Sequence, residues 1–299
     1  MSYQPLQRIR SRLEARLRGW QTPRRTRSKP PPPVERGDAP TRLNLLSFNI
    51  QTGISSGRYR DYLTGSWQHV LPSSQRMGNL DQIARQLHRF DMVGLQEIDA
   101  GSLRSGFVNQ AEYLAMRAGF PFWRHQLNRN IGKLAQHSNA LLSKVTPTDT
   151  VEYRLPGMIP GRGVLVAHYG RPDNPLLLLV VHLALGSRAR RQQLGFIADL
   201  VSGYRNVIIM GDMNCRLQGL DEARRLFDLD LHAPGDELMT FPSWQPERGI
   251  DHILVSPSIH VTKLGTLPIH ISDHLPVAME VEVPADVALH GATPHSSLA

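Results

Sequence analysis

Cysteine is almost absent: Cys215 is the only one in 299 residues, so no disulfide can form within the chain and packing must hold the fold together. A bilayer-crossing run is missing too. The longest apolar stretch, Leu176 to Val181, is strand length and ends at His182, far short of the ~20 residues a spanning helix needs. Nor does the N-terminus carry the apolar core of a signal peptide. These absences read as a cytoplasmic chain. Charge of either sign is in short supply outside one segment. Residues 1–36 hold ten Lys/Arg against Glu14 and Glu35, which accounts for the whole formal charge of +8, whereas residues 37–299 hold 24 basic and 24 acidic side chains. A neutral remainder lacks the overall basicity that nucleic-acid affinity usually draws on, so tail and remainder need separate explanations.

In the first twenty residues Leu6, Ile9, Leu13, Leu17 and Trp20 recur every three or four positions, with arginines on much of the remaining surface. Residues 1–22 are therefore expected to form a basic amphipathic helix. Pro23 and the run Pro30 to Pro33 cannot continue it, and 23–40 reads as an extended Pro-rich linker. The folded domain is placed at 41–284, followed by a flexible tail over 285–299.

Within 41–284, short apolar runs alternate with helical patterns. Leu43–Phe48, Met92–Leu95, Ala140–Leu142, Val164–His168, Leu176–Val181, Val207–Met210, Ile253–Val255 and Val277–Val283 read as strands, several continuous enough to be buried on both faces. Leu80, Ile83, Ala84 and Leu87 share a helix face, and Tyr113–Ala118 and Leu194–Val201 give two more helices. An α/β sandwich follows. Residues 51–78, rich in Gly, Ser, Arg and aromatics, have no period and read as a long loop.

Polar residues able to hold a hard cation or move a proton lie at the ends of these strands: Asn49, Glu97, His182, Asp212 and Asn214, with Asp251-His252 and Asp273-His274 before the last two. Singly, each is as readily a turn former or a hydrogen-bonded structural residue. Together they match a chemistry, because carboxylates and amides suit Mg²⁺ or Mn²⁺ and Asp–His pairs suit proton handling.

The ordered set Ser47-Phe48-Asn49-Ile50, Gln96-Glu97, Val181-His182-Leu183, Gly211-Asp212-Met213-Asn214, Ile250-Asp251-His252-Ile253 and Ser272-Asp273-His274-Leu275-Pro276 resembles the motifs of the endonuclease/exonuclease/phosphatase superfamily. That resemblance implies a four-layer α/β sandwich, two packed β-sheets flanked by helices, with the site at one edge. It implies Glu97 as principal metal ligand with Asn49 and Asp273 in support, Asp212 orienting or deprotonating the attacking water, and Asn214 holding the phosphate. His274, oriented by Asp251, would act on a phosphate oxygen, with His182 as a second imidazole. Arg162, in Gly161-Arg162-Gly163, and Asn139, in Ser138-Asn139-Ala140, stand at places that resemble substrate-binding positions. Thr240-Phe241-Pro242-Ser243-Trp244 offers aromatics for a cleft wall or for packing. Arg188, Arg190 and Arg191 suit either an anionic substrate or an exposed helix face, and Cys215 has no activating partner in sequence.

The expected activity is hydrolysis of a phosphoester with Mg²⁺ or Mn²⁺. The segments around Asn139, Arg162 and His182 to Leu194 look more like bacterial proteins grouped with sphingomyelinases and GPI-lipid remodelling factors than like abasic-site endonucleases. A phosphodiesterase or phosphatase on a lipid head group, held at the inner face of the membrane through residues 1–20, is the first reading. A DNA or RNA nuclease with an arginine-rich phosphate-binding tail is the alternative. A non-enzymatic binding module is disfavoured, since every expected chemical position is filled.

Overall fold

The structure is a computed structural model that describes residues 24–27, 41–51, 74–131, 135–157 and 161–289. The expected N-terminal helix, most of the linker, residues 52–73 of the long loop and the tail beyond 289 lie outside the described residues. Twelve strands among the described residues form two six-stranded sheets. The first sheet runs β1 (Arg24–Arg27), β6 (Asp149–Arg154), β7 (Gly163–Tyr169), β8 (Leu176–His182), β9 (Asn206–Asp212), β10 (Asp251–Val255). The second runs β11 (His260–Thr266), β12 (Val277–Val283), β2 (Thr41–Asn49), β3 (Met92–Asp99), β5 (Ala135–Ser143), β4 (Phe122–Ile131). One parallel pair, β8 with β9 and β2 with β3, sits inside each sheet.

Leucine, valine, isoleucine and methionine from both sheets meet between them, among them Leu43, Leu45, Met92, Leu165, Leu178, Val180, Ile208, Met210 and Val281. The opposite faces are apolar too, which is why these strands read as continuous runs. Helices α3 (Ser187–Val201) and α4 (Leu217–Phe227) cover the first sheet through Leu194, Ile197, Val201 and Leu220. On the second, α1 (Ser74–Leu87) and α2 (Gln110–Ala118) bury Leu80, Ile83, Leu87 and Leu114. Asn109 caps α2 by accepting from the amides of Ala111 and Glu112, and Gly119 ends it in the left-handed conformation. This is the four-layer sandwich expected. Gly94 lets the sheets approach closely, since a Cβ there would stand 2.6 Å from the Met210 sulfur.

Three expectations change. Arg24–Arg27, expected inside the linker, pairs antiparallel with Asp149–Glu152 as an edge strand, so the sheet recruits chain upstream of Thr41. The tail expected from residue 285 begins later: Ala285–Val287 is a 3₁₀ turn, Val287 is fully buried in the inter-sheet core, and its carbonyl accepts from Arg171. Residues 74–78, read as loop, begin α1.

Candidate active site

Side chains alternate along a strand, so residues two apart enter the same layer. In β8 the inward series Leu176, Leu178, Val180 ends at His182; in β9 Ile208 and Met210 lead to Asp212; in β10 Val255 and Ile253 lead back to Asp251. These three are register neighbours, His182 beside Asp212 and Asp212 beside Asp251. The facing sheet does the same. Leu43 and Leu45 lead through Ser47 to Asn49, Met92 leads through Gly94 to Gln96, and Leu141 leads to Asn139, with Asn49 beside Gln96 and Asn139 beside Gln126. The apolar space between the sheets thus closes, at one end, in two facing rows of polar residues. Asn49 bridges them, donating from Nδ2 to Asp212 Oδ2 at 3.1 Å.

Glu97 reaches this end through an irregularity. Between Leu95 and Ile98 the register of β3 with β5 slips, and Glu97 takes φ +53°, a left-handed conformation that costs a glutamate of order 1–3 kcal/mol. Its side chain keeps 32% of its exposure, its carboxyl lies 3.9 Å from His182 Nε2, and Asn49 hydrogen-bonds to it. Gly211 serves Asp212 in a related way, for a Cβ there would collide with the Val181 carbonyl. Asp212 Oδ1 accepts the Asn214 amide at 2.9 Å, while Asn214, at φ +51°, donates from Nδ2 to the Leu183 carbonyl at 2.9 Å.

The loop before β12 completes the arrangement. His274 Nδ1 donates to Asp251 Oδ2 at 2.8 Å, and its Nε2 lies 3.9 Å from Asp212 and 4.0 Å from Asp273. Thr240 donates to the same Asp251 oxygen at 2.6 Å. Two backbone bonds, Ser243 to the Asp273 carbonyl and Leu275 to the Thr240 carbonyl, zip the segment 240–243 to the loop 272–275. Ser272 ties that loop to β2 by donating to the Asn49 carbonyl at 2.7 Å. Phe241 packs 4.9 Å from the His274 ring with Arg248 4.6 Å over its own, so one aromatic of Thr240–Trp244 walls the site.

Electrostatics separate the two imidazoles. Burial acts on both. At His182 the charges of Arg162, His274 and His137 push the same way as burial, and the pKa falls well below 6.5. His182 is therefore neutral, and its 3.4 Å approach to Asp212 is a polar contact rather than an ion pair. For His274 burial is outweighed by Asp251, Asp212 and Asp273, which raise the pKa to about 10 and keep it cationic. Asp212 is pushed well up, first by burial and then by the charge of Asp251. Glu97 and Asp273 are also raised by burial, with the charge of Asp273 adding to the rise in Glu97. Arg162 is lowered by burial, an effect that Asp212 and Glu97 oppose.

All ten expected site residues are described. Asn49, Glu97, His182, Asp212, Asp251, Asp273 and His274 converge, with Asn214 behind Asp212. Asp212, Asp251 and His274 offer ligand atoms within 4.8 Å of one another and could hold a metal ion, a grouping that differs from the expected Glu97, Asn49 and Asp273. Asn139 is fully buried and braces β7 by donating to the Gly163 carbonyl at 3.2 Å. Arg190 is committed to the carbonyls of Ala184 and Leu185. Cys215 is buried, and burial pushes its thiol up to about 11, so it stays protonated. The sequence reading missed Thr240 as a partner of Asp251 and missed β4 altogether; only the alternation of Trp123, His125 and Leu127 with Arg124 and Gln126 signalled the strand.

The profile of the Endonuclease/Exonuclease/phosphatase family matches residues 46–274. Among solved structures, an endonuclease/exonuclease/phosphatase from Beutenbergia cavernae is similar at 18% identity, covering 81% of this chain and 72% of that one, with a TM-score of 0.63. A mannosyl-6-phosphatase from Bacteroides thetaiotaomicron is 20% identical over 80% of this chain and 99% of that one, with a TM-score of 0.57. D. rerio TDP2 in complex with a single-strand DNA product is 16% identical over 80% and 98%, with a TM-score of 0.58. At these identities the likeness is one of fold. No curated protein matches the chain significantly.

Proposed function

Because the chain belongs to the endonuclease/exonuclease/phosphatase family, whose members hydrolyse phosphoester bonds, we propose that it is a Mg²⁺- or Mn²⁺-dependent hydrolase of a lipid head-group phosphoester or another membrane-associated phosphoester. The observation that carries the chemistry is a base and an acid held side by side in different charge states. Asp212, with its raised pKa, is suited to take a proton from an attacking water near neutral pH. The His274 imidazolium, fixed by Asp251 at 2.8 Å, presents Nε2–H to a phosphoryl oxygen as charge builds there. Thr240 and Phe241 keep that ring in place. Neutral His182 offers a hydrogen bond without adding charge, Arg162 supplies a positive charge for an anionic substrate, and the second Nδ2 hydrogen of Asn214 is left for a phosphoryl oxygen.

Glu97, Asn49 and Asp273 are the residues that would hold the metal. Their oxygen donors fit a hard dication, and burial disfavours the charge on both Glu97 and Asp273, with Asp273 adding to the rise in Glu97 and Asp251 to that in Asp273. When bound, the ion supplies charge neutralisation at the phosphate and its leaving oxygen.

The lipid reading is supported by the division of charge, a neutral remainder behind a basic amphipathic N-terminal segment. The same ten Lys/Arg favour a second reading, a nuclease that uses the tail to hold nucleic acid. The test is a screen of sphingomyelin, phosphatidylinositol phosphates, abasic and intact DNA, and RNA with Mg²⁺ or Mn²⁺, using Asp212→Ala as the blank. Metal-dependent release of a phospholipid head group or its phosphate is expected. Cleavage of nucleic acid alone would replace the lipid reading, and full activity in excess chelator would remove the metal.

A further inference from the structure

Charge around the site is one-sided. Glu97, Asp212, Asp251 and Asp273 crowd where β2, β3, β9 and β10 end, whereas Arg162 and Arg129 collect, beside His137, where β7, β4 and β5 end. Two glycines make this second cluster. A Cβ at Gly161, which has φ +113°, would stand 3.1 Å from Arg129 Cβ and 3.4 Å from its Cδ, and a Cβ at Gly163 would strike the side chains of Asn128 and Gln126. Gly-Arg-Gly is therefore the sequence that lets β4 lie directly against the backbone of Arg162, with the aliphatic stem of Arg129 along Gly161. The register of β4 with β5 slips between Leu127 and Arg129, and Arg129 stands opposite His137, which is near enough to His182 to act on its charge.

Arg129 differs from the other arginine described on its strand. Arg124 is neutralised by Glu152 at 2.7 Å. Arg129 is exposed and makes no ion pair or hydrogen bond among the described residues, and its charge acts unfavourably on Arg162. Arg162 is within reach of Asp212 and Glu97 on one side and of Arg129 on the other, so a second anion lying against Arg129 could be shared by two guanidinium forks.

We infer that Arg129 and Arg162 form an anion subsite beside the catalytic rows, and that the preferred substrate carries a second anionic group, phosphate or carboxylate, close to the phosphoester that is cleaved. The inference rests on the hydrolase reading above and narrows it. The scissile phosphate belongs to the acidic, metal-holding side, and the second anion to the arginine side. Through a charge-assisted hydrogen bond, the second anion is expected to raise kcat/KM by roughly ten-fold or more.

The test compares substrates that differ only in that group: inositol 1-phosphate with inositol 1,4-bisphosphate, and a thymidine dinucleotide with and without a 5′-phosphate, all in Mg²⁺. The variants are Arg129→Gln, which keeps the stem along Gly161, Arg129→Lys, which keeps the charge, and Arg225→Ala, an exposed arginine of α4 that controls for net charge. Discrimination is expected in the wild type and in Arg225→Ala, reduced in Arg129→Lys and lost in Arg129→Gln. The inositol and dinucleotide arms separate a head group from a nucleic-acid end. A wild-type ratio near one, or a ratio unchanged in Arg129→Gln, overturns the subsite. Calorimetric binding of the same four compounds to Asp212→Ala keeps the two failures apart: preferential binding that depends on Arg129 without wild-type turnover sinks the hydrolase reading alone, whereas turnover or binding without preference sinks the subsite alone.

Discussion

Thr240 shows what lies behind a motif. It belongs to no catalytic signature, yet its hydroxyl shares the Asp251 oxygen with His274 and accepts from the amides of Ile250 and Asp251, so three groups converge on it. The strand-end polar residues were legible because an apolar run that stops at His182 or Asp212 leaves a mark in sequence; a hydroxyl that orients a carboxylate leaves none. His274 carries a testable consequence of this surrounding. Its folded-state pKa, about 10, lies above the ordinary 6.5, so the folded chain binds the proton more tightly than the unfolded chain. The stability this contributes is complete below about 6.5 and is lost as pH rises through about 10. Urea unfolding of the metal-free protein is expected to give a lower stability near pH 9.5 than near pH 7, with His274→Gln flattening the difference. Parallel pH dependence in the two proteins would mean that His274 is not held as a cation.

At the scale of elements, the strands that were read correctly are those buried on both faces, such as β8, where all seven residues are buried. The missed ones are polar. β11 is an edge strand with no buried residue, and β6 ends in exposed Arg154. In β4 the inward positions Arg124 and Gln126 face Glu152 and the Tyr153 carbonyl instead of the apolar core, so polar pairing between the sheets erased the pattern that identifies strands. The irregularity in β3 is the converse, a place where a well-signalled strand departs from regular pairing as it meets the facing polar rows. Glu97 bears a left-handed backbone and a carboxyl raised by burial, two costs that the proposed metal-holding role would account for. Asparagine tolerates that backbone and carries no charge. Glu97→Asn is accordingly expected to raise the Tm of the metal-free protein by a few degrees while lowering metal-dependent hydrolysis at least ~100-fold, the loss of about 3 kcal/mol of transition-state stabilisation. A lower Tm together with retained activity would place the role of Glu97 in folding.

For the whole molecule, the division between a neutral remainder and a basic N-terminal segment was visible in sequence, and the structure moves its boundary. Because Arg24–Arg27 pairs with β6, a chain beginning at Thr41 would strip an edge strand and leave β6 open to pairing with other molecules, confusing loss of the tail with aggregation. The informative truncation begins at Thr22, which keeps β1 and removes only the expected amphipathic segment. On a helix, Leu6, Ile9, Leu13, Leu17 and Trp20 form one face that can enter acyl chains while Arg8, Arg12 and Arg16 meet anionic head groups, each basic residue contributing about 1 kcal/mol near such a surface. Among the described residues no helix is long and apolar enough to cross a membrane. Cosedimentation with vesicles containing phosphatidylglycerol is expected to retain the full chain and to lose both the chain beginning at Thr22 and the variant Leu13→Glu plus Leu17→Glu. Loss on truncation alone would reduce the tail to a charged arm that ignores its apolar positions, and equal retention of all three would remove the tail from membrane binding.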